Sequence, residues 1–451
     1  MNARVLILAA GQASRMGKVK ALLPLPSGET GRECSALEGL ARLFRTVGIE
    51  HISVVTGWHA DSVEQAAQDI DLAAVRNPRP EDGMFSSVCA GLRALADGNS
   101  AMSQTPVLVL PVDVPLVRPM TIQALLEAHE ADPEHVLVPV FADAEGHPPL
   151  LPACHLEHIL RYAQSNGENG LRGALEGLPV RKIPVADKLM LLDMDRPEDY
   201  ENIRLLAQCR DVLLPDEAEE LLHLRDVPEK GLRHGRAVGT VAAALAKALQ
   251  RAKRAENTHA GADNASALAP SLSPDLAPDV ALAGGLLHDI CKGEKRHEAA
   301  AGRLLRSLHL PVMAHLVEDH RDLALPNDQP ITERELIFLA DKYCYGPSYV
   351  PVRQRFEQKL EIFGSDAAEA IKGRMGRALA LEARLARELG CAANRQQYGQ
   401  QLAQAADCVQ EAASVESLHS LYPLHMAHPA CPADIARSAL AEMAVQINGS
   451  A

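Results

Sequence analysis

Basic side chains are in short supply in this chain. Its 451 residues carry 45 Lys plus Arg against 59 Asp plus Glu, a formal net charge of −14, and the pI is near 5.7. Wrapping a nucleic-acid backbone requires a dominant basic face, so a general nucleic-acid binder is excluded and any phosphate chemistry must draw on local cations or metal ions. Long hydrophobic runs are also missing, and no stretch approaches the length of a membrane span. The apolar run Val5 to Ala10 is too short for a secretory segment, with Gln12 and Arg15 close behind it. The 9 cysteines (34, 89, 154, 209, 291, 344, 391, 408 and 431) are scattered, odd in number and never in C-x-x-C spacing. They read as free thiols of a reducing compartment, against a disulfide framework or a zinc ribbon. A Walker A loop and internal repeats are absent too. The expectation is a cytoplasmic protein with neither nucleic-acid nor membrane partners.

What is there is an ordinary globular composition, 47% hydrophobic and 23% charged, long enough for two or three cores. Up to about Cys209, short β-branched runs alternate with amphipathic stretches, the pattern of an α/β layered, mostly parallel sheet. Strands are predicted at Val5 to Ala9, His51 to Thr56, Leu72 to Arg76, Val107 to Pro111, His135 to Val140 and Val180 to Pro184. Helices are predicted at Ala36 to Val47, Ala60 to Gln68, Ser87 to Ala96, Met120 to Glu130 and Leu156 to Gln164. Beyond Leu213 the β signals stop and the pattern is all-α, with helices expected at 216–223, 232–251, 280–291, 297–308, 312–320 and 332–345 and in a long tail from about Ala367. These readings divide the chain into residues 1–207, a second domain 213–415 and a C-terminal tail 416–451. The Ala-, Ser- and Pro-biased segment 256–279 is expected to be a mobile loop.

The strongest single feature is LAAGQASRMGKVKALLPL, Leu8 to Leu25, directly after the first predicted strand. Gly11 would let the chain turn sharply and present backbone N–H groups to a phosphate, and Arg15, Lys18 and Lys20 add cations suited to a triphosphate. Asp113, just past the apolar strand VLVLPVD, falls at the carboxyl edge of the sheet, where such folds bind ligands; it could also cap the helix that follows. Ser86 and Ser87 stand before a predicted helix, where they could face an anion or merely cap it. Asp193 and Asp195 could be ligands or caps of the helix beginning near Pro197.

The ordered motifs L-A-A-G-x-x-x-R-M-G-x-x-K, N-P…E-D-G-M-F-S-S-V-C-A-G-L (Asn77 to Leu92), L-P-V-D-V-P-L-V (Leu110 to Val117), G-H-P (Gly146 to Pro148) and D-M-D-R-P-E-D-Y (Asp193 to Tyr200) resemble the MobA-like nucleotidyltransferases. That family attaches a nucleotide to the molybdenum cofactor. The resemblance implies a three-layer nucleotidyltransferase fold. It implies nucleotide binding by Leu8, Ala9, Ala10, Gly11, Arg15, Lys20, Gly83, Ser86 and Ser87, and substrate binding by Gly146, His147 and Pro148. It further implies Mg²⁺ on Asp113, with Asp195 as a second ligand, and catalytic roles for Arg15, Lys20 and Asp113. The implied reaction is attack of the molybdopterin phosphate on the α-phosphorus of a nucleoside triphosphate, with pyrophosphate leaving. Ala10 and the G-M-F-S-S and G-H-P elements are more similar to the branch that uses CTP than to the one that uses GTP.

In the second half, His234, the pair His288-Asp289, and Asp341 follow one another in the contexts G-L-R-H-G-R-A-V, G-L-L-H-D-I-C-K-G and E-L-I-F-L-A-D-K-Y. This order is similar to that of the HD superfamily of metal-dependent phosphohydrolases. Imidazoles and carboxylates on separate helices can converge on a transition-metal ion such as Mn²⁺ or Fe²⁺ whose bound water becomes the nucleophile. His297 and His320 occupy the order of two further ligands in binuclear relatives; they could equally be surface residues at helix ends. Catalytic roles are assigned to Asp289 and to Lys292, which could steady a phosphate oxygen or simply be solvated at a helix end. His223, His309 and His315 are read as structural. The resulting expectation is a molybdenum cofactor cytidylyltransferase fused to an HD phosphohydrolase, with CTP and the cofactor as substrates and a molybdoenzyme or cofactor chaperone as a possible partner. The rival is a transferase that uses GTP or another phosphorylated acceptor, with a non-catalytic, ligand-binding HD module.

Overall fold

The computed structural model describes residues 3–27, 32–97, 105–165, 167–259, 276–323, 326, 329–346 and 348–390. The chain divides into two compact units between Arg210 and Asp211. The tail 416–451 and most of the segment 256–279 lie outside the described residues.

In the first unit the strands are β1 (Arg4–Ala9), β2 (Pro24–Pro26), β3 (Glu33–Ser35), β4 (His51–Thr56), β5 (Ala73–Arg76), β6 (Val107–Pro111), β7 (Val136–Phe141), β8 (Ala144–Glu145), β9 (Leu150–Leu151) and β10 (Val180–Pro184). The helices are α1 (Ala36–Thr46), α2 (Ala60–Gln68), α3 (Met84–Asp97), α4 (Pro119–Ala131), α5 (Ala153–Ser165), α6 (Gly170–Leu175) and α7 (Pro197–Ala207). The main sheet runs β10-β7-β9-β6-β1-β4-β5, with β8 paired to β7. Its β6-β1-β4-β5 part is parallel, while β9 enters antiparallel between β6 and β7. Strand β1 is buried throughout, and its alternation explains why. Val5, Ile7 and Ala9 enter one apolar cluster with α1 and α4 residues, whereas Leu6 and Leu8 enter another with α3 and α6 residues. Central burial places the ends of β1 and β6 side by side, with Leu8 opposite Pro111.

The second unit is helical: α8 (Pro215–Leu224), α9 (Glu229–His259), α10 (Pro278–Leu287), α11 (His297–Ser307), α12 (Pro311–Val317), α13 (Glu333–Tyr343) and α14 (Val352–Gly390). A small hairpin of β11 (Cys344–Tyr345) and β12 (Ser348–Tyr349) corrects the expectation that β structure ends before this unit. Two further boundaries differ. Helix α9 continues to His259 and α10 starts at Pro278, so both invade the segment read as a loop; and α14 begins at Val352, well before Ala367. Helices α9 and α10 meet through glycine. A Cβ on Gly285 would lie 2.4 Å from Gly239 Cα, and one on Gly239 would lie 2.6 Å from the Leu282 carbonyl oxygen. Backbone therefore touches backbone at this crossing. Adding one methyl there must push the helices apart, an overpacking cost of about 1–3 kcal/mol. Gly285→Ala is expected to lower stability by that amount, read as an earlier loss of helical circular dichroism in urea.

Candidate functional sites

The first site grows from the parallel core of the sheet. Where β1 ends, Ala10 and Gly11 leave the strand; where β6 ends, Val112 N still donates to Leu8 O at 3.0 Å, and Asp113 follows. Met194 N donates to Asp113 O at 2.8 Å, which carries the Asp193–Asp195 segment to the same edge. Lys20 Nζ then donates to Asp113 Oδ2 at 2.9 Å and Asp195 Oδ1 at 2.7 Å, and Arg15 Nη1 reaches Asp195 Oδ2 at 3.2 Å. Burial opposes the charge on Lys20, but its bonds to Asp195 and Asp113 outweigh this and hold its pKa above the usual value. The same bond, against the opposing effect of burial, holds Asp195 below the usual carboxylate range, whereas burial and then the neighbouring Asp195 and Asp113 charges push Asp193 up.

These groups edge a cavity of about 640 Å³. Of the residues singled out in the sequence, Leu8, Ala9, Ala10, Gly11, Arg15 and Lys20 line it, and so do Gly83, Ser87, Asp113 and Asp195. Lys18 instead lines a shallower hollow beside Trp58 and His59. Ser86 and His147 line an adjoining cavity of about 520 Å³, together with Arg79 and Arg93. Gly146 and Pro148 line neither, although a Cβ on Gly146 would lie 2.8 Å from Met190, so close packing fixes that turn. The serines do not precede their helix: α3 starts at Met84, and both hydroxyls accept from buried Asn77 Nδ2, at 2.8 Å for Ser86 and 3.0 Å for Ser87. Their first task is to join the β5 end to α3. Burial lowers the His147 pKa, and its Nδ1 is enclosed with no hydrogen-bond partner among the described residues. Gly57 and Trp58 escaped the sequence reading. Trp58 lines the larger cavity, its N–H donates to Ala10 O at 3.3 Å, and a Cβ on Gly57 would lie 2.7 Å from that oxygen. The only hint was a glycine directly after a strand.

The second site gathers side chains from five places in the helical unit. His234 lies in the second turn of α9, His288 and Asp289 follow the end of α10, His297 opens α11, His320 follows α12 and Asp341 lies in α13. The imidazoles form a chain with ring centroids 5.1 Å (234 to 288), 5.0 Å (288 to 320) and 5.2 Å (320 to 297) apart. Each points Nε2 at Asp289: His234 at 3.7 Å and His288 at 3.5 Å to Oδ2, His297 at 3.2 Å and His320 at 3.5 Å to Oδ1. Asp289 thus joins two sets of three possible ligands, His234-His288-Asp289 and Asp289-His297-His320. Asp341 Oδ1 stands 3.4 Å from His234 and 3.8 Å from His288.

Donor chemistry favours a metal here. The Nδ1 atoms of His234, His288 and His320 lie 3.2, 2.7 and 2.7 Å from the carbonyls of Gly346, Gly285 and Val317. Donation through Nδ1 leaves the Nε2 lone pair free for an ion, the usual second-sphere arrangement. His288 Nε2 is buried and has no hydrogen-bond partner among the described residues. Burial opposes ionisation of Asp289, but the facing His288, His297 and His320 overcome it and hold the carboxyl far below the ordinary range. His297 and His320 are therefore part of the cluster and not surface residues, and His320 is only 4% exposed. Lys292 Nζ bonds Asp289 directly instead of being solvated alone. Lys342 and Arg355, which carried no signal in the sequence, both pair with Asp341. A shared carboxylate has a distinct consequence for loading. Asp289→Ala should strip metal from both sets, whereas His297→Ala should lower metal content by about half, read by mass spectrometry of Mn²⁺-loaded protein.

Among the described residues no helix is long and apolar enough to cross a membrane. Among solved structures, the chain is similar to Rv0371c from Mycobacterium tuberculosis H37Rv, with 24% identity and a TM-score of 0.37, over 45% of this chain and 98% of that one. It is also similar to molybdopterin-guanine dinucleotide biosynthesis protein A from Archaeoglobus fulgidus, with 18% identity and a TM-score of 0.36, over 46% and 99%. The sequence matches two family models, described as MobA-like NTP transferase domain, over residues 5–182, and as HD domain, over residues 231–346. The chain thus carries a MobA-like NTP transferase domain followed by an HD domain.

Proposed function

We propose that the first unit transfers CMP from CTP to the terminal phosphate of the molybdenum cofactor, and that the second hydrolyses a phosphate ester or nucleotide. The observation that carries the first half is Lys20, held between Asp113 and Asp195 at the rim of a cavity built by the backbone of residues 8–11. In the reaction an acceptor phosphate oxygen bonds to the α-phosphorus while the α–β bridging bond breaks and pyrophosphate leaves. Such a transfer asks the protein for alignment and charge neutralisation more than for covalent chemistry. Lys20 and Arg15 supply the cations, and the open turn at Gly11 supplies backbone N–H groups.

Asp113 and Asp195 are hard oxygen donors that suit Mg²⁺, which characteristically takes one or two carboxylates and completes its shell with water and substrate phosphates. Bound there, the ion would neutralise charge developing on the phosphates. The adjoining cavity with His147, Arg79 and Arg93 suits a phosphorylated acceptor, and Ala10 at the cavity wall supports cytosine over guanine. In the second unit, Asp289 and the four imidazoles suit one or two transition ions, which would supply a water of lowered pKa. Lys292 stands beside that carboxylate as a cation for a phosphate oxygen.

Incubation with Mg²⁺, molybdenum cofactor and CTP should release pyrophosphate and form the cytosine dinucleotide, with GTP a poorer donor. Lack of dinucleotide from either triphosphate would sink the reading. Lys20→Ala is expected to lower kcat/KM about a hundredfold, as removal of a transition-state charge partner does. Full-length protein loaded with Mn²⁺ should hydrolyse a phosphate ester, and Asp289→Ala should abolish this. A wild-type protein that binds nucleotide without turnover would instead favour a ligand-binding HD module.

A further inference from the structure

Helix α14 lies wholly beyond residues 231–346, the stretch that matches the HD domain. It nevertheless forms one wall of a cavity of about 440 Å³ whose other side is the metal-ligand cluster Asp289, His297, His320 and Asp341. Besides Phe356, the wall residues are Arg355, Lys359, Phe363, Ala367, Ile371 and Arg374. Their spacing of four, four, four, four and three places them in one row along the helix, each four-residue step advancing about 6 Å. The row is graded in chemistry. Arg355 pairs with the cluster carboxylate Asp341 at 3.2 Å. One step outward stands Lys359, whose only close partner among the described residues is the Phe356 ring, 5.4 Å from its Nζ. A further step brings Phe363, 62% exposed, and two steps beyond it Ile371 is buried.

A half-buried ammonium without an acidic partner, one helical turn outward from the cluster, is a place for a second anion. An exposed ring one turn further is a place for an apolar or planar group. Burial, followed by the nearby Arg355 and Lys342 charges, pushes the Lys359 pKa down to about 8, so an arriving anion would meet a cation that lacks compensation.

We propose that α14 makes the HD site selective for organic diphosphates: Lys359 receives the phosphoryl group next to the one at the cluster, and Phe363 receives the organic part. The inference rests on the hydrolase reading for its substrate class but concerns binding by this chain's own residues. The pyrophosphate and cytidine nucleotides handled in the proposed transferase reaction fall near this class.

The test uses full-length protein in which Lys20→Ala and Asp113→Ala silence the transferase site. Metal-free protein is titrated calorimetrically with CDP and with inorganic pyrophosphate, and Mn²⁺-loaded protein is assayed on CDP and CMP. Adding Lys359→Ala should weaken CDP about tenfold, the loss of one charge-assisted contact, while Lys359→Arg retains binding. Phe363→Ala should weaken CDP more than pyrophosphate. In the loaded protein, Lys359→Ala should lower the ratio of kcat/KM for CDP over CMP. CDP affinity unchanged in Lys359→Ala, or equal effects on CDP and CMP turnover, would overturn the proposal. If neither nucleotide is turned over, the hydrolase reading fails, and the metal-free titration alone decides the subsite.

Discussion

Acidic side chains crowd together at both sites, and their mutual repulsion has to be met on the spot. Like charges in a partly dry pocket either lose a charge to protonation or recruit a cation. In the first unit Asp113 and Asp195 recruit Lys20, while Asp193, with no such bond among the described residues, is the carboxyl pushed upward. In the second unit Asp289 recruits imidazoles and Lys292, and Asp341 recruits Lys342 and Arg355. A chain with a net charge of −14 thus spends its scarcer cations where carboxylates converge. Asp195, Asp289 and Asp341 are each held below the ordinary carboxylate range, the charged form that would suit a divalent ion.

The two units bring their groups together by different means. Parallel strands β1 and β6 deliver residues to one edge because the strands end in register, so the position of Asp113 follows from that of Gly11. The helical unit has no such edge. It converges imidazoles and carboxylates from helix ends and helix interiors, and each must be aimed separately; carbonyls from Gly285, Val317 and Gly346 do this for three imidazoles.

Much of this was legible in the sequence, for physical reasons that also mark where legibility stops. Strands β1, β4 and β6 are apolar or alternating runs bounded by Gly and Pro, and the order of His234, His288-Asp289 and Asp341 survives on a single line of text. Strand β9 has two residues, too few for any period, and so its antiparallel entry into the sheet left no trace. Ser86 and Ser87 looked like caps because small polar residues favour helix starts; Gly83, with φ of +87°, turns the chain three residues earlier. The first half of α14 was obscured by exposed Ile362 and Phe363, which break the amphipathic pattern. Arg355 reaches Asp341 from fourteen residues away and Lys359 faces the same cavity from the next turn, a tertiary proximity that residue spacing does not encode.

The glycine contact between α9 and α10 bears on how this unit can vary. His234 is next to Gly235, whose Cβ would lie 2.7 Å from the Leu286 carbonyl, and His288 is three residues beyond Gly285. The approach of the two helices beside these rings is therefore set largely by main chain, with the Leu282 side chain also at the crossing. A side chain added at Gly235, Gly239 or Gly285 would thus act on the separation of the two imidazoles directly, through the main chain that carries them.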